Sequence, residues 1–306
     1  MTDPISRMIL EKLEVNCRTS LQDLAKSTGI SANDVKRRIE DLVKSGIIQN
    51  FVVIPSPLMT NENRVITILE FSNEPEERKL LRTLRFNPSV YRVSRLIDGR
   101  YIVYGIYFER KELVTLTSFL RTLDGINEVE LYSRFKHYWG GKIELTNTHR
   151  GILRCLISDP RMSISDIAKE TGFLTSDIKR SIDHMRESET ALFTIRKNED
   201  MNEGRAEVLL KLQWNVSQTS HENILSWLQD NFGSLRLDEY VSAAEPTLFF
   251  HFLVNHVQDA QIILKKVGES GLVVFVEPFM ILSSTDFSDP RVRRMEEMLT
   301  ETGFSK

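Results

Sequence analysis

A repeat that spans half of the chain is the strongest constraint on how this sequence can fold. An offset of 143 positions aligns the two halves without a gap for about 65 residues. The aligned pairs include Ile9 with Ile152, Asp23 with Asp166, Gly29 with Gly172, Lys36 with Lys179 and Arg37 with Arg180. A match of this length predicts that the 306-residue chain is a tandem duplication of one unit of roughly 150 residues.

The first fifty residues of each unit carry helical signals. In the first unit Ser20 and Ser31 each precede an aspartate by three positions, which is a helix start signal, and Gly29 and Gly46 are stop signals. Only a few residues separate the two helices, as in a helix-turn-helix. The β-rich stretch that follows predicts a wing. We therefore expect a winged helix-turn-helix at 1–55 and a second, degenerate one at 146–198.

The remaining hundred residues of each unit alternate between strand and helix patterns in the order β-α-β-β-α-β, which is the ferredoxin-like order. The predicted fold class is α+β, with two winged helix-turn-helix domains alternating with two ferredoxin-like sandwich domains. We place the sandwich domains at 62–138, as an effector and dimerisation domain, and at 204–284. A charged helix at 287–306 closes the chain.

Composition and charge restrict the class of protein. The apolar content of 41% and the charged content of 27% are typical of globular proteins. No apolar run approaches the roughly 18 residues of a membrane helix, so no membrane partner is expected. The amphipathic start does not resemble a signal peptide, which favours the cytoplasm.

Cys17 and Cys155 form no C-x-x-C pair and predict reduced thiols. A net charge of −3 still permits a local basic face.

The stretch "GISANDVKRRIEDLVKSGII", from Gly29 to Ile48, resembles the recognition-helix signature of the Lrp/AsnC (feast/famine) family of transcriptional regulators. The resemblance implies binding to double-stranded DNA through the first part of each unit. It also implies dimerisation, and often binding of an amino acid or related metabolite, through the sandwich domains. The family's usual chain is one unit, whereas this chain has two and resembles a fused dimer. The expected partner is therefore a second copy of the chain, as a homodimer.

In the first copy, the second helix of the predicted helix-turn-helix, which begins after Ser31, is amphipathic. Val35, Ile39 and Leu42 share the face that points to a three-helix core. In a helix-turn-helix the first turns of this helix meet base edges in the major groove, where Arg can pair with guanine and Asn with adenine. The candidate DNA-binding residues of this copy are Ser20, Ser31, Asn33, Lys36, Arg37, Arg38 and Lys44. A solvated charged face on a protein-binding scaffold is the alternative.

The second copy keeps Lys179 and Arg180 as candidate DNA-binding residues but loses several features of the first. Leu174 replaces Ser31, so the helix cap is expected to move to Thr175 or Ser176. Ser181 replaces Arg38, which in the first copy is placed to reach a phosphate, and Glu189 replaces Gly46. We expect a reduced DNA-binding role for this copy. The alternative is an asymmetric reader of a non-palindromic site.

The sandwich domains carry the candidate effector site. In the family a glycine turn between the second and third strands borders the effector pocket, and Gly99, Arg100 and Tyr101 occupy that turn here. Arg100 can bind a carboxylate, and a plain β-turn is the alternative. The two sandwiches are expected to pair face to face, within one chain or between chains, through apolar residues such as Ile66, Ile68, Val103 and Phe252, and the sequence leaves open which alternate set faces the interface.

An enzymatic role is the remaining alternative. Siroheme decarboxylases share this domain plan, and they would need histidines and arginines gathered around a tetrapyrrole at the sandwich interface. His251 and His256 lie on and just after one predicted strand, whereas the strands of the first sandwich contain no histidine. Phosphate-loop and H-E-x-x-H motifs are absent. The sequence therefore predicts a protein that is not an enzyme, without catalytic residues, metal site or cofactor.

Overall fold

The computed structural model describes residues 3–134, 140–197 and 205–300. The chain divides into two compact units, each built from separate parts of the sequence. The helix-turn-helix unit takes its described residues from 1–62, 138–201 and 291–306, and the sheet unit from 63–137 and 202–290. The predicted domain boundaries at 138, 198 and 204 lie outside the described residues, as does 301–306 of the predicted last helix.

The first winged helix-turn-helix begins at α1, whose first turn is capped by Asp3. Ser20 caps the next helix, which ends at Gly29 with φ of 73°, a left-handed conformation that glycine adopts without steric cost. The elements are α1 (Pro4–Val15), α2 (Leu21–Thr28), α3 (Ala32–Lys44), the wing strand β1 (Ile48–Pro55) and a short α4 (Pro57–Thr60).

The first sandwich domain follows in the βαββαβ order. Its elements are β2 (Asn63–Phe71), α5 (Glu77–Arg85), β3 (Val90–Leu96), β4 (Tyr101–Tyr107), α6 (Arg110–Arg121) and β5 (Ile126–Ser133).

The second half of the chain repeats this order of elements. The second winged helix-turn-helix has α7 (Asn147–Ser158), α8 (Ile164–Thr171), α9 (Thr175–Glu187) and the wing strand β6 (Ala191–Lys197). The second sandwich has β7 (Ala206–Gln213), α10 (His221–Phe232), β8 (Arg236–Val241), β9 (Thr247–Val254), α11 (Val257–Gly268) and β10 (Phe275–Asp286), followed by α12 (Pro290–Thr300). The predicted fold class is thereby confirmed.

Within the helix-turn-helix unit, the two wing strands pair with each other. β1 and β6 form a two-stranded antiparallel sheet in which Phe51 faces Ile195 and Val52 faces Thr194. One hydrophobic core contains helices of both copies, including Leu13 of α1 and Leu156 of α7. Arg18 adds hydrogen bonds from its guanidinium to the carbonyl oxygens of Pro160 (2.6 Å) and Met162 (2.8 Å). The two helix-turn-helix copies therefore fold as one body.

The last helix packs onto the second copy of the same unit. Met295 and Leu299 of α12 are buried in the shared core. Arg150 and Arg154 of α7 donate hydrogen bonds to the carbonyl oxygens of Met298 (3.1 Å) and Leu299 (2.6 Å). Because the last carbonyls of a helix have no intrahelical partner, these two arginines cap the end of α12.

In the sheet unit, the two sandwiches share one eight-stranded antiparallel sheet of order β5-β2-β4-β3-β10-β7-β9-β8. Strand β3 of the first sandwich pairs with β10 of the second. The outer strands also meet, because Arg134 and Ser242 form a β-bridge and Ala243 N–H donates to Ser133 O at 2.7 Å. The pairing of the sandwiches thus occurs within one chain.

The two faces of the sheet bury different side chains. A cluster shared by both sandwiches contains Ile66 and Ile68 together with Phe249 and Phe279, as expected for residues at the sandwich interface. Val103 instead lies in the core of the first sandwich beneath its helices, and Phe252 in the corresponding core of the second. The assignment of Val103 and Phe252 to the interface is therefore wrong, because both strands are buried on both faces and their sequences do not alternate.

Across the described ranges, no helix combines the length and the apolar character needed to cross a membrane.

Candidate DNA-binding site

The recognition helix α3 is fixed at its start and along its inner face. The backbone N–H of Asp34 donates to Ser31 Oγ at 3.1 Å, and the Ser31 hydroxyl donates to Asp34 Oδ2 at 2.7 Å. Val35, Ile39 and Leu42 are buried in the core, as the helical periodicity predicts. Because these contacts fix the rotation of α3 about its axis, the opposite face must point to solvent.

That opposite face carries the candidate base-reading residues. Asn33, Lys36, Arg37 and Lys44 are all exposed, with 65% of the Lys36 side chain and 70% of the Arg37 side chain accessible. Arg37 Nη2 donates to Asp34 Oδ1 at 2.9 Å, one helical turn earlier. This intrahelical ion pair holds the guanidinium beside the capped end of α3, where a recognition helix enters the major groove.

Arg38 lies on the flank of α3 and turns towards α1. Its Nη1 donates to Asp3 Oδ2 at 2.7 Å and to Ser6 Oγ at 2.9 Å, and 28% of its side chain is exposed. The hydrogen bond from Ser6 and the weaker effect of Arg38 lower the pKa of Asp3 to about 2. One guanidinium nitrogen of Arg38 therefore braces α3 against α1.

Ser20 lies at the start of α2 and caps it. The N–H of Asp23 donates to Ser20 Oγ at 3.1 Å. Ser20 is exposed, so the start of α2 presents backbone N–H groups to solvent in the manner of an anion-binding helix end.

The second recognition helix, α9, has the same basic pair but a different start. Arg180 Nη2 donates to Asp177 Oδ1 at 2.8 Å, as Arg37 does to Asp34, and 81% of its side chain is exposed. The N-cap position is Leu174, which makes no side-chain capping hydrogen bond. The expectation that the cap moves to Thr175 or Ser176 is wrong, because the helix begins at the same repeat position in both copies.

The end of α9 is strained where the end of α3 is not. Gly46 has φ of 75° and Glu189, at the same repeat position, has φ of 52°. A left-handed conformation costs a residue with a Cβ roughly 1 kcal/mol. The second copy therefore has a left-handed backbone at this position without the glycine that the first copy has there.

The start of α7 contains a feature that sequence reasoning missed. Thr146 accepts a hydrogen bond from the His149 backbone N–H at 3.2 Å, and the Thr146 N–H donates to His149 Nδ1, also at 3.2 Å. The ring of His149 lies against that of His184, with 5.6 Å between centroids. Burial, and then the charge of His184, lower the pKa of His149. The spacing of Thr146 and His149 was the available signal, but a capping box usually has Glu or Gln at its fourth position.

The candidate effector turn is structured by its own side chains. Gly99 has φ of 89° in the turn between β3 and β4. Arg100 donates to Asp98 Oδ2 at 2.6 Å and to Glu277 Oε1 at 2.9 Å, and its guanidinium lies 4.8 Å from the ring centre of Phe279. Tyr101 is buried in the core of the first sandwich. The turn therefore brings Arg100 to two carboxylates of the sheet unit itself.

The sheet unit also gathers a buried polar cluster from both sandwiches. Arg92 Nη2 donates to Glu207 Oε1 at 3.0 Å, and His251 Nε2 lies 2.6 Å from the same oxygen. All three side chains are almost entirely buried. His256, by contrast, is the N-cap residue of α11. Within the described residues, no group of three or more His, Cys, Asp or Glu side chains is placed to hold a metal ion.

Comparison with known proteins supports the helix-turn-helix assignment. The family model for winged helix-turn-helix DNA-binding domains matches residues 2–49 and 145–188. The HTH-type transcriptional regulator LysM of Saccharolobus solfataricus is 30% identical over 125 residues, which cover 40% of this chain and 81% of LysM. The HTH-type transcriptional regulator LrpA of Pyrococcus horikoshii is 26% identical over 136 residues, covering 42% of this chain and 93% of LrpA.

Solved structures match a larger share of the chain and correct one expectation. Siroheme decarboxylase NirDL, crystallised in co-complex with an iron-uroporphyrin III analogue, has a TM-score of 0.63 and covers 98% of this chain and 100% of its own. The expectation that this chain is not an enzyme is wrong, because its nearly full-length structural match is to an enzyme. At 13% identity the likeness shows the shared fold alone.

The sequence similarity to known regulators shows which family this chain belongs to. The two copies of the winged helix-turn-helix coincide with the two matches of the family model, and the alignment to LysM spans four fifths of that regulator at 30% identity. The chain belongs to the HTH-type transcriptional regulators of the Lrp/AsnC family.

Proposed function

We propose that the protein is a cytoplasmic, sequence-specific DNA-binding transcriptional regulator whose first helix-turn-helix does most of the reading. The observation that carries the proposal is the capped start of α3 with Lys36 and Arg37 exposed beside it. Basic side chains that project from the first turns of a recognition helix can reach base edges in the major groove.

Each side chain of the first copy has a proposed role. Arg37 pairs bidentately with a guanine and Asn33 with an adenine. Lys36 lies beside them on the same exposed face. Lys44 contacts phosphates, as does Ser20 at the start of α2. Arg38 contacts a phosphate through the N–H groups of its guanidinium that do not donate to Asp3 and Ser6. Phosphate contacts set the register on the duplex, and the base contacts supply its sequence preference.

The second helix-turn-helix is proposed to have a reduced role in reading DNA, through Lys179 and Arg180. Three differences from the first copy support this: the uncapped start of α9 at Leu174, the loss of the Arg38 brace at Ser181, and the acidic, strained Glu189. We further propose that the chain is a fused pair of roughly 150-residue units, divided into the domains expected from sequence. Fusion allows one half to change while the other is kept.

The test is a selection of bound fragments from the host genome at physiological salt. We expect one motif to be enriched by the wild-type protein and lost with a Lys36→Ala/Arg37→Ala/Arg38→Ala variant. The matched control is Lys179→Ala/Arg180→Ala, which should keep the motif or lose only one half of it. If the wild type enriches no motif, the DNA-reading proposal is wrong.

Sensing and self-association are the finer parts of the proposal. A small metabolite such as an amino acid would bind at Gly99, Arg100 and Tyr101 by replacing Glu277 or Asp98 on the Arg100 guanidinium. Calorimetry with a panel of amino acids should then show binding that Arg100→Ala removes.

Sedimentation velocity tests the proposed homodimer against the 35.4 kDa monomer.

A second candidate function is a siroheme-decarboxylase-like activity on a tetrapyrrole. Besides the full-length likeness, it is favoured by the buried cluster of Arg92, Glu207 and His251, since it joins an arginine of one sandwich to a histidine of the other. Addition of an iron tetrapyrrole should give a protein-dependent change in its visible absorbance that His251→Ala abolishes. An unchanged spectrum would remove this candidate.

A further inference from the structure

The junction between the first and third helices differs between the two helix-turn-helix copies. In the first copy this junction is filled by the Arg38 guanidinium, which donates to Asp3 and Ser6. The repeat places Ser181 where Arg38 stands, Thr146 where Asp3 stands and His149 where Ser6 stands. Ser181 is several atoms shorter than Arg38 and cannot reach across the junction, and the buried ring of His149 takes the place of Ser6.

An open groove of about 870 Å³ occupies this place in the second copy, between the start of α7 and the outer face of α9. Its lining includes His149, Lys179, Ser181 and His184. The second copy thus has a groove where the first copy has the partly exposed Arg38–Asp3 ion pair.

The carboxylates that line the groove already have cationic partners. Asp177 accepts from Arg180 at 2.8 Å, and Asp183 lies 3.0 Å from a guanidinium nitrogen of Arg186. Glu187 is 3.8 Å from the same arginine. Two arginines thus offset two of these three negative charges, and the charge of Lys179 offsets the third.

The remaining polar groups of the groove are hydrogen-bond donors. Lys179 makes no ion pair with a described residue, and the hydroxyl groups of Thr148, Ser176 and Ser181 make no hydrogen bond to one. His149 is 6% exposed, and its Nδ1 accepts from the Thr146 N–H. Nδ1 also lies 3.0 Å from the Thr146 hydroxyl oxygen. With Nδ1 as the acceptor of the Thr146 N–H, the proton of the neutral ring is on Nε2, which donates to no described residue.

We propose that this groove binds a phosphate group. A phosphate offers several acceptor oxygens that can meet donors from α7 and α9 at once, and the Lys179 ammonium can donate a charge-assisted hydrogen bond to one of them. The phosphate can belong to a small molecule or to the DNA backbone. Because Ser176 and Lys179 lie on the face of α9 that would meet DNA, a bound small phosphate would compete with DNA at the second copy only.

The test follows the imidazole proton resonances of His149 and His184 in the full-length chain by NMR. Inorganic phosphate is titrated at neutral pH and constant ionic strength, without DNA. We expect a saturable shift of both resonances. The variants His149→Ser and His184→Asp, which have the residues found at the matching positions Ser6 and Asp41, identify each resonance by its disappearance. Loss of one charge-assisted hydrogen bond should weaken binding about tenfold in Lys179→Ala. Lys26→Ala, which removes an exposed lysine of α2 in the first copy, should leave phosphate binding unchanged.

A second titration with a DNA duplex distinguishes the two sources of phosphate. Shifts with inorganic phosphate indicate a small-molecule site, and shifts with the duplex alone indicate a backbone contact. The absence of a saturable shift with either ligand, or an equal loss of binding in Lys26→Ala, would overturn the proposal. The phosphate titration contains no DNA, so its failure would not affect the proposed reading by α3.

Discussion

The two helix-turn-helix copies have the same helices and nearly the same buried residues, yet they present different chemistry to solvent. Leu13 and Leu156 are both fully buried in the shared core, and so are Val35 and its counterpart Ile178. The differences lie at the cap, the flank and the end of the recognition helix. Packing of this kind maintains the fold of both copies, whereas only the first has the serine cap, the Arg38 brace and the glycine end of its third helix.

The comparison shows that the second copy keeps its fold with less favourable residues at two positions of α9. Caps and left-handed residues each contribute of the order of 1 kcal/mol, and the second copy has the less favourable residue at both positions. The shared core and the pairing of β1 with β6 stabilise the second copy through the first. It can therefore tolerate losses that an isolated small domain could not.

The largest expected effect concerns base reading by the first copy. Arg37→Ala should cost about 1–3 kcal/mol at the specific site and relax the preference at one base position, because a bidentate pair to guanine is lost. Binding measurements on a set of duplexes that differ at single positions would check this. An equal loss on every duplex would instead make Arg37 a phosphate contact.

The second effect concerns the helix caps. Ser31→Ala should lower the free energy of unfolding by about 1 kcal/mol, because the Asp34 N–H loses its acceptor. Leu174→Ser should raise it by a similar amount by supplying the cap that α9 lacks. Urea denaturation of the full-length variants measures both. If Leu174→Ser has no effect, the start of α9 is satisfied in some other way.

A somewhat smaller effect is expected at the helix ends. Glu189→Gly should stabilise the protein by up to about 1 kcal/mol, since glycine adopts the left-handed conformation at lower cost. Gly46→Ala is the matched change in the first copy and should destabilise by a similar amount. Thermal unfolding of the two variants measures both changes in stability. Shifts of the unfolding temperature in the same direction would contradict this prediction.

The smallest effect is a pH dependence confined to the second copy. The folded protein holds the pKa of His149 below its ordinary 6.5, mainly because the ring is buried and then because of His184. The unfolded chain therefore takes up this proton first, and stability should decline as the pH falls below about 6.5. His149→Ser, which has the residue of the first copy, should reduce the decline. Identical pH profiles for the two proteins would exclude this role of His149.

Much of the fold was predictable because it follows from local patterns. The spacing of apolar residues and the Ser-x-x-Asp starts identify α2 and α3, and the alternation of strand and helix patterns identifies the sandwich order. Pairings between distant segments could not be predicted in this way. Neither the β1–β6 wing sheet nor the β3–β10 junction leaves a local signal, because each depends on contacts between the two halves of the chain.

Part of the candidate site was also predictable from local sequence patterns. The exposed face of α3 follows from its helical period, and Lys36 and Arg37 lie on it. The involvement of Arg38 with Asp3, the uncapped Leu174 and the groove beside His149 required three-dimensional contacts. Val103 and Phe252 show the same limit, since strands buried on both faces do not reveal which face a residue occupies.

The central claim is that the first copy reads DNA and the second contributes less. The most direct measurement compares the affinities of Arg37→Ala and Arg180→Ala for the selected duplex at one fixed salt concentration. Both arginines are exposed and each is paired with an aspartate one turn earlier, so the two substitutions remove equivalent groups. The account predicts a loss of about 1–3 kcal/mol for Arg37→Ala and a much smaller loss for Arg180→Ala. Equal losses would contradict it and would indicate two equivalent readers.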